Sequence, residues 1–335
     1  MDNPTKVVFF HRRPRKYGNF SVEFIYNSIR ENLPQSFRGF KSTATYESQG
    51  IWKRLYIAIE AIFRQGDVNH ITGDVHFLTT FLKKKRTVLT VLDVGFMNHP
   101  SERARNVLRF FWLTVPIGRA ALVTTISQAT KDEVLKFMKC DPEKIKVVHV
   151  PISDDYRPSP KPFNKEKPVI LQLGCAPNKN IGRLIEALKP IPCHLEIVGN
   201  LAPELENQLK ANGMSYQISW NLSEEDIRQK YHACDIVTLI STYEGFGMPI
   251  VEANATGRAV ITGNILSMPE VAGDAAHLVD PLEVEQMRAG FEKLIHDEAY
   301  REQLIANGFV NRKRFTLDKI TNDYCTIYKL IANGL

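Results

Sequence analysis

Short runs of β-branched and aliphatic residues alternate with helix-length amphipathic segments almost from one end of this chain to the other. That alternation restricts the fold most, because strands joined through helices pair in parallel and are covered on both faces. In the first half it predicts strands at 6–10, 39–45, 68–71, 87–92, 121–126 and 145–148. Helices are expected over 20–32, 52–64, 102–113 and 128–138, with Ser127 placed to cap the last. The alternation stops at 151–168, PISDDYRPSPKPFNKEKP, where five prolines and many charges leave no period. It restarts with strands expected at 169–173, 194–198, 216–220, 235–240, 259–262 and 277–279. Helices begin near Ile181, Pro203, Glu224 and Met248, and three more cover 284–295, 299–311 and 317–332.

Two doubly wound α/β domains in series are therefore expected: 1–150, a linker at 151–168, and 169–316. Residues 317–335 should form a C-terminal helix that packs back on the first domain. Ligands of such sheets bind beyond the carboxyl ends of the strands, so a cleft between the domains is the expected site.

The chain has 335 residues, 44% hydrophobic and 24% charged, ordinary for a globular protein. Its five cysteines are widely spaced and include no C-x-x-C. That argues against a disulfide framework or zinc site, and for a reducing cytoplasmic compartment. Charges surround the first apolar run, so no signal peptide is expected. The apolar run 110–118 is broken by Pro116 and is too short to cross a bilayer.

Charge is uneven. Residues 1–150 carry 24 Lys+Arg against 13 Asp+Glu, a balance of +11 in a chain whose total is +6. Dense runs are RRPRKY from Arg12 and KKKR from Lys83. One reading is a solvated basic face. The other is contact with an anionic acceptor or an anionic membrane, where each cation contributes about 1 kcal/mol. No nucleic-acid motif accompanies the charge, so nucleic acid is not expected.

The stretch STYEGFGMPIVEANATG, 241–257, carries the most chemistry. A strand ends, a glycine loop follows, and Pro249 suits the first turn of a new helix. Amide groups at such a start form an anion site. Gly245 and Gly247 permit close approach of a ligand to the main chain. Glu244 precedes the helix and Glu252 lies about one turn inside it. Carboxylates accept hydrogen bonds from sugar hydroxyls, so this arrangement suits a sugar on each side of a pyrophosphate. A first-turn glutamate favoured by the helix dipole is the plainer reading of Glu252.

Glu244 and Glu252 with seven residues between them, the turn ANATGRAVI and the downstream MPEVAGDAAHLVDP resemble the family-4 retaining glycosyltransferases, or glycosyl transferases group 1, of the GT-B fold. LGCAPNKN, SEEDIRQKYHACDIVTLIS and VVHVPISDDYRP extend the resemblance, which is strong over 168–330 and weak over 1–150. It implies two Rossmann-like domains facing across a cleft. It implies that Glu252 binds the ribose of a nucleotide sugar and that Glu244 holds the transferred sugar. Backbone groups of Phe246, Gly247 and Met248 would meet hydroxyls or phosphate. Lys179 would neutralise the departing diphosphate, with Gly174, Asn178 and Gly245 also at the donor; separately, Trp220 and Asn221, at the end of a strand, are expected near the base. A fixed cation has an independent warrant, because departure of a diphosphate builds negative charge. The chain lacks a D-x-D triplet, so no metal is expected.

In the first half, RKYGNFSVEF resembles the family's glycine loop, with Gly18 kept and Asn19 in place of the second glycine. TVLDV aligns with a strand end that often reads His-Asp; Leu92 replaces the histidine and Asp93 remains, joining Glu244 and Lys179 as a catalytic candidate. His76 is a further candidate near a strand end. Asn178 stands where an arginine often precedes the lysine, and Ile240 where a proline is common.

The resemblance implies a polysaccharide-biosynthesis enzyme that moves a sugar, with retention, from a nucleotide sugar to a glycan or lipid-linked saccharide. The nucleotide sugar is a co-substrate, and no cofactor is expected. A cytoplasmic location, peripheral at the inner membrane face, fits the basic first half. Two alternatives stay open: a nucleotide-sugar epimerase on the same fold, and a non-catalytic nucleotide- or carbohydrate-binding protein.

Overall fold

The computed structural model describes residues 3–14 and 21–334, which form two compact units. The first comprises 1–151 and 317–335, and the second 152–316.

The first unit runs β1 (Thr5–His11), α1 (Ser21–Glu31), β2 (Phe37–Thr43), α2 (Ile51–Phe63), β3 (Val68–Ile71) and β4 (Thr87–Val91). It continues with α3 (Glu102–Arg109), α4 (Val115–Arg119), β5 (Leu122–Thr125), α5 (Gln128–Phe137) and β6 (Ile145–Val147). The sheet is wholly parallel, in the order β2-β1-β3-β4-β5-β6. Its inner strands β3, β4 and β5 are fully buried runs, as a sheet covered on both faces requires, while the edge strand β2 is half open to solvent. Ser127 caps α5 by accepting from Thr130 N.

One expected helix divides. The segment 102–113 is α-helical only to Arg109; a wider π turn, Phe110–Thr114, follows before α4. Pro116 has no N–H to donate to the Trp112 carbonyl one turn back. His76 Nδ1, 3.0 Å from that carbonyl, takes the missing donor's place.

The second unit runs β7 (Val169–Leu173), α6 (Ile181–Leu188), β8 (His194–Val198), α7 (Pro203–Ala211), β9 (Ser215–Ser219) and α8 (Glu224–Ala233). Then come β10 (Ile236–Leu239), α9 (Met248–Thr256), β11 (Ala259–Gly263), α10 (Ser267–Ala272), β12 (His277–Val279), α11 (Val284–His296) and α12 (Glu298–Asn311). Its sheet is also parallel, in the order β12-β11-β10-β7-β8-β9. Two Rossmann-like units are thus present, as expected. Among the described residues no helix is long and apolar enough to cross a membrane.

The segment 152–168, expected to be a linker, lies within the second unit. Its prolines keep it extended, and the unit's surface supplies partners along it. Asp235, almost wholly buried, accepts from Lys161 Nζ at 2.7 Å and from the amide of Val169 at 2.8 Å. Arg258 donates to the Ser159 carbonyl at 2.6 Å, and Arg301 lies over the Phe163 ring.

The last helix, α13 (Leu317–Ala332), belongs to the first unit. A buried polar chain holds it. Tyr328 Oη lies 2.7 Å from His70 Nδ1, and His70 Nε2 lies 2.8 Å from the Thr90 hydroxyl, itself 2.7 Å from that of Thr124. Tyr324 and Tyr26 hydroxyls meet at 3.2 Å. Burial lowers the pKa of His70 to about 3.

Two outcomes follow for stability. Tyr328→Phe strands a buried ring nitrogen and should cost about 1–3 kcal/mol in denaturant unfolding. His70 is held neutral, so below pH 6.5 the unfolded chain binds the extra proton. Stability should therefore be full above pH 6.5 and fall as pH drops toward 3, with a shallower slope in His70→Gln. An unchanged slope would show that His70 does not carry this linkage.

Candidate active site

In the second sheet β7 and β10 are neighbours whose connections leave in opposite directions, β7 toward β8 and β10 toward β11. At such a reversal the two loops diverge and leave a crevice at the carboxyl ends of the strands. The loops after β7 and β10 supply most of the residues expected in this unit's site, Met248 and Glu252 lying on α9 and Asn221 after β9.

After β7, Gly174 adopts φ +83°, and a Cβ there would sit 3.0 Å from Lys179 Cε. Glycine thus lets the chain fold back beneath the lysine. A short turn, Pro177–Lys179, then leads through Asn180 at φ +59° into α6. The loop after β10 is tied to this one through the backbone. Thr242 N donates to the Asn178 carbonyl, and Asn178 Nδ2 donates to the Tyr243 carbonyl, each at 2.8 Å.

This registration brings Lys179 Nζ to 2.6 Å from Glu244 Oε1. Their side chains are 17% and 15% exposed, so the pair is partly withdrawn from water and strongly bonded. The course of the second loop is fixed elsewhere too. The Ser267 hydroxyl lies 2.9 Å from the Glu244 carbonyl and 2.8 Å from that of Phe246. Phe246 is buried with its ring against Phe315. Gly247, at φ +114°, turns the chain into α9, with Met248 and Pro249 as its first residues. The positive end of the α9 dipole therefore lies at this loop.

Glu252 lies one turn further along α9. Tyr231 donates a short hydrogen bond to its carboxylate, and Tyr156 donates a second. The two tyrosine rings meet edge to face at 5.5 Å. Burial raises the pKa of Glu252 to about 7; the two hydroxyls and Lys179 oppose that rise. Asn221, at φ +57°, and the exposed Trp220 follow β9 at the same sheet edge. They stand two strands from β7, about 10 Å at ordinary strand spacing.

The first sheet reverses between β1 and β3. A small cavity there is lined by His11, Arg12, Glu23, Asp74 and Leu92. Beside it a cavity of about 330 Å³ is lined by Arg12, Arg13, Tyr46, Ser48, Asp74 and Val75. Arg12 pairs with Glu23 at 2.7 Å and with Asp74, so part of the basic run is engaged in the fold. Asp93 is exposed and accepts from Gly95 N at 2.8 Å, capping a short turn. His76 is buried on the Trp112 carbonyl and is not among the residues lining either cavity. Gly18 and Asn19 lie outside the described residues.

Lys179, Glu244, Asn178 and Gly174 thus gather at one point, with Glu252 behind them. Sequence reasoning missed Tyr156 and Tyr231, whose bearing on Glu252 no local spacing announces. It also did not single out His11 and Asp74, which line the small cavity at the first sheet's reversal.

The family described as glycosyl transferases group 1 matches residues 155–310. The O-antigen chain mannosyltransferase B of Escherichia coli is 27% identical over 74% of this chain and 71% of its own length. A serotype-specific mannosyltransferase, WbdA, of Escherichia coli is 27% identical over 59% of this chain but only 27% of its own length. Among solved structures, Anabaena HepE in complex with UDP and glucose superposes with a TM-score of 0.77 at 18% identity. That match covers 97% of this chain and 99% of HepE.

The raised pKa of Glu252 has a signed consequence. Between pH 4.5 and 7 the folded chain binds the extra proton, so stability falls as pH rises through that window. Glu252→Gln should gain on the order of 1–3 kcal/mol at pH 8 and almost nothing near pH 4.5, in denaturant unfolding. A pH-independent difference would contradict the assignment.

Proposed function

We propose, from the premise that this chain is a group 1 glycosyltransferase with the GT-B fold, that it moves a hexose from a nucleotide sugar to a saccharide acceptor with retention of configuration. The observation that carries the reading is the Lys179–Glu244 pair at the β7/β10 reversal, beside the start of α9. The second unit binds the donor. Its diphosphate lies at the α9 N-terminus and draws Lys179 away from Glu244. The freed Glu244 carboxylate accepts from hydroxyls of the transferred sugar. Lys179, fixed over Gly174, stabilises the charge that grows on the leaving diphosphate.

Glu252, oriented by Tyr231 and Tyr156, accepts from the ribose. Its carboxylate exchanges burial against protein for two ribose donors. Asn221 and Trp220 border the base. The first unit holds the acceptor at its own strand reversal, with Asp93 and the 330 Å³ cavity on that side. Both curated relatives described above carry mannosyltransferase names, which supports mannose as the sugar and a surface polysaccharide as the product.

The test is a donor screen with purified chain and saccharide acceptors, the anomeric configuration of product being read by NMR. Lys179→Ala should lower kcat by about 10²–10³, the scale of losing one transition-state donor. Glu252→Ala should weaken donor binding by roughly 1.5–3 kcal/mol. Glu244→Gln should bind free nucleoside diphosphate more tightly than the parent chain while transferring sugar more slowly, because Lys179 loses its resting partner. Near-parental turnover in Lys179→Ala, or isomerised donor with no acceptor present, would overturn the reading.

A further inference from the structure

Helix α2 breaks the usual rule for a surface helix. Its inner side is buried through Ile57, Ala58 and Ala61. At roughly 100° per residue, Ile51, Trp52, Leu55, Ile59, Ile62 and Phe63 span about 120° of a second arc, which Tyr56 extends to about 140°. All six are exposed: Ile51 by 76%, Trp52 by 79% and Phe63 by 84%. Tyr56 shares that arc and packs on Tyr46 at 5.2 Å. An ordinary amphipathic helix would turn charges outward there. This one confines them to a narrow flank, Lys53, Glu60 and Arg64, with Glu60 paired to Arg64 at 2.9 Å.

The surroundings extend the pattern. Arg54 lies over the rings of Phe77 and Trp112, tying α2 to the turn Phe110–Thr114. Phe110 and Phe111 on that turn are half exposed, and Arg109 beside them is exposed. Exposed aromatics and aliphatics, edged by cations such as Lys53 and Arg109, are the surface composition that inserts among lipid headgroups. Single exposed hydrophobics are unremarkable, but a contiguous apolar arc on one helix marks an interaction surface. The excess of +11 over residues 1–150 supplies charge complementarity to an anionic bilayer.

We propose that the outer face of α2 docks on an anionic lipid bilayer. The face adjoins the 330 Å³ cavity directly. Tyr46 and Ser48 line that cavity, Tyr46 packs on Tyr56, and Arg54 Nε donates to the Ser48 carbonyl at 2.9 Å. A docked α2 thus sets the cavity, with exposed Arg13 on its wall, at headgroup depth. The acceptor class that this placement selects is a saccharide carried on a lipid through phosphate. That last step rests on the transferase reading; the docking itself does not.

The experiment uses the full chain with no sugar present. Flotation is compared on vesicles of phosphatidylcholine alone and with part replaced by phosphatidylglycerol. The chain should float with the anionic vesicles, and its tryptophan emission should shift to shorter wavelength on binding. Trp52→Ser with Phe63→Ser should lower the partition coefficient by about tenfold or more. Both residues are exposed, so the variant should melt with the parent; Lys53→Glu with Arg64→Glu should abolish the preference for anionic lipid without loss of fold. No flotation, or flotation indifferent to Trp52 and Phe63, overturns the proposal. So does a concentration-dependent dimer in sedimentation that Trp52→Ser abolishes, since that assigns the face to a second copy. Vesicle binding by a chain that transfers no sugar would leave the docking standing and remove the transferase reading.

Discussion

The reversal of strand order between β7 and β10 is the constraint on which the second unit's chemistry depends. Parallel strands bring all their carboxyl ends to one edge, but only at a reversal do adjacent loops part rather than cover each other. The two loops then need some other means of registration. The Thr242–Asn178 backbone bond and the Asn178 side chain on the Tyr243 carbonyl provide it. The Lys179–Glu244 contact is a consequence of that registration, since each residue comes one or two positions after a tethered one. A change to either tether would move the charged pair even though no charge is touched.

The site's charges are arranged against one another rather than toward water. Lys179 rests on Glu244, so the two charges offset each other and the ammonium is already oriented. Glu252 follows the opposite logic. Its burial raises its pKa to about 7, a cost that the fold bears before any ligand arrives. A buried polar group with strong partners and an unfavourable protonation balance is more readily explained by ligand binding than by packing. Two tyrosines hold it in place, and one of them, Tyr156, comes from the strap that crosses the second unit.

The fold was legible where it rested on local pattern. Runs such as Val169–Leu173 and Thr87–Val91 are short, branched and bounded by turn residues, and they are strands. Ser127 was legible as a cap because the cap bond spans three residues. What failed was non-local. The prolines of 151–168 signalled extended chain correctly but could not disclose Asp235 as its partner, because that contact joins residues more than sixty apart. The break at Phe110 needed knowledge that His76 would satisfy the Trp112 carbonyl. The placing of Lys179 and Glu244 at one crevice was readable because both lie in loops that follow strands. Tyr231, inside an ordinary amphipathic helix, carried no such mark.

Local rules that a sequence breaks without a structural gain point to function. The expected signal for α2 was a helix with one apolar face, and the first unit uses only one. Its second apolar arc contributes nothing to the core, since the residues on it remain in solvent. Solubility alone would favour replacing Trp52 or Phe63 by a polar side chain, because neither packs against the sheet. A partner outside the chain accounts for their exposure beside a cavity whose wall includes Arg12 and Arg13. A partner with both an apolar interior and an anionic surface does so with one object, whereas a protein surface would have to supply each part separately. The orientation of an acceptor at the first sheet's reversal would then be set by the plane of the bilayer, and only its terminal sugars would have to be recognised by side chains.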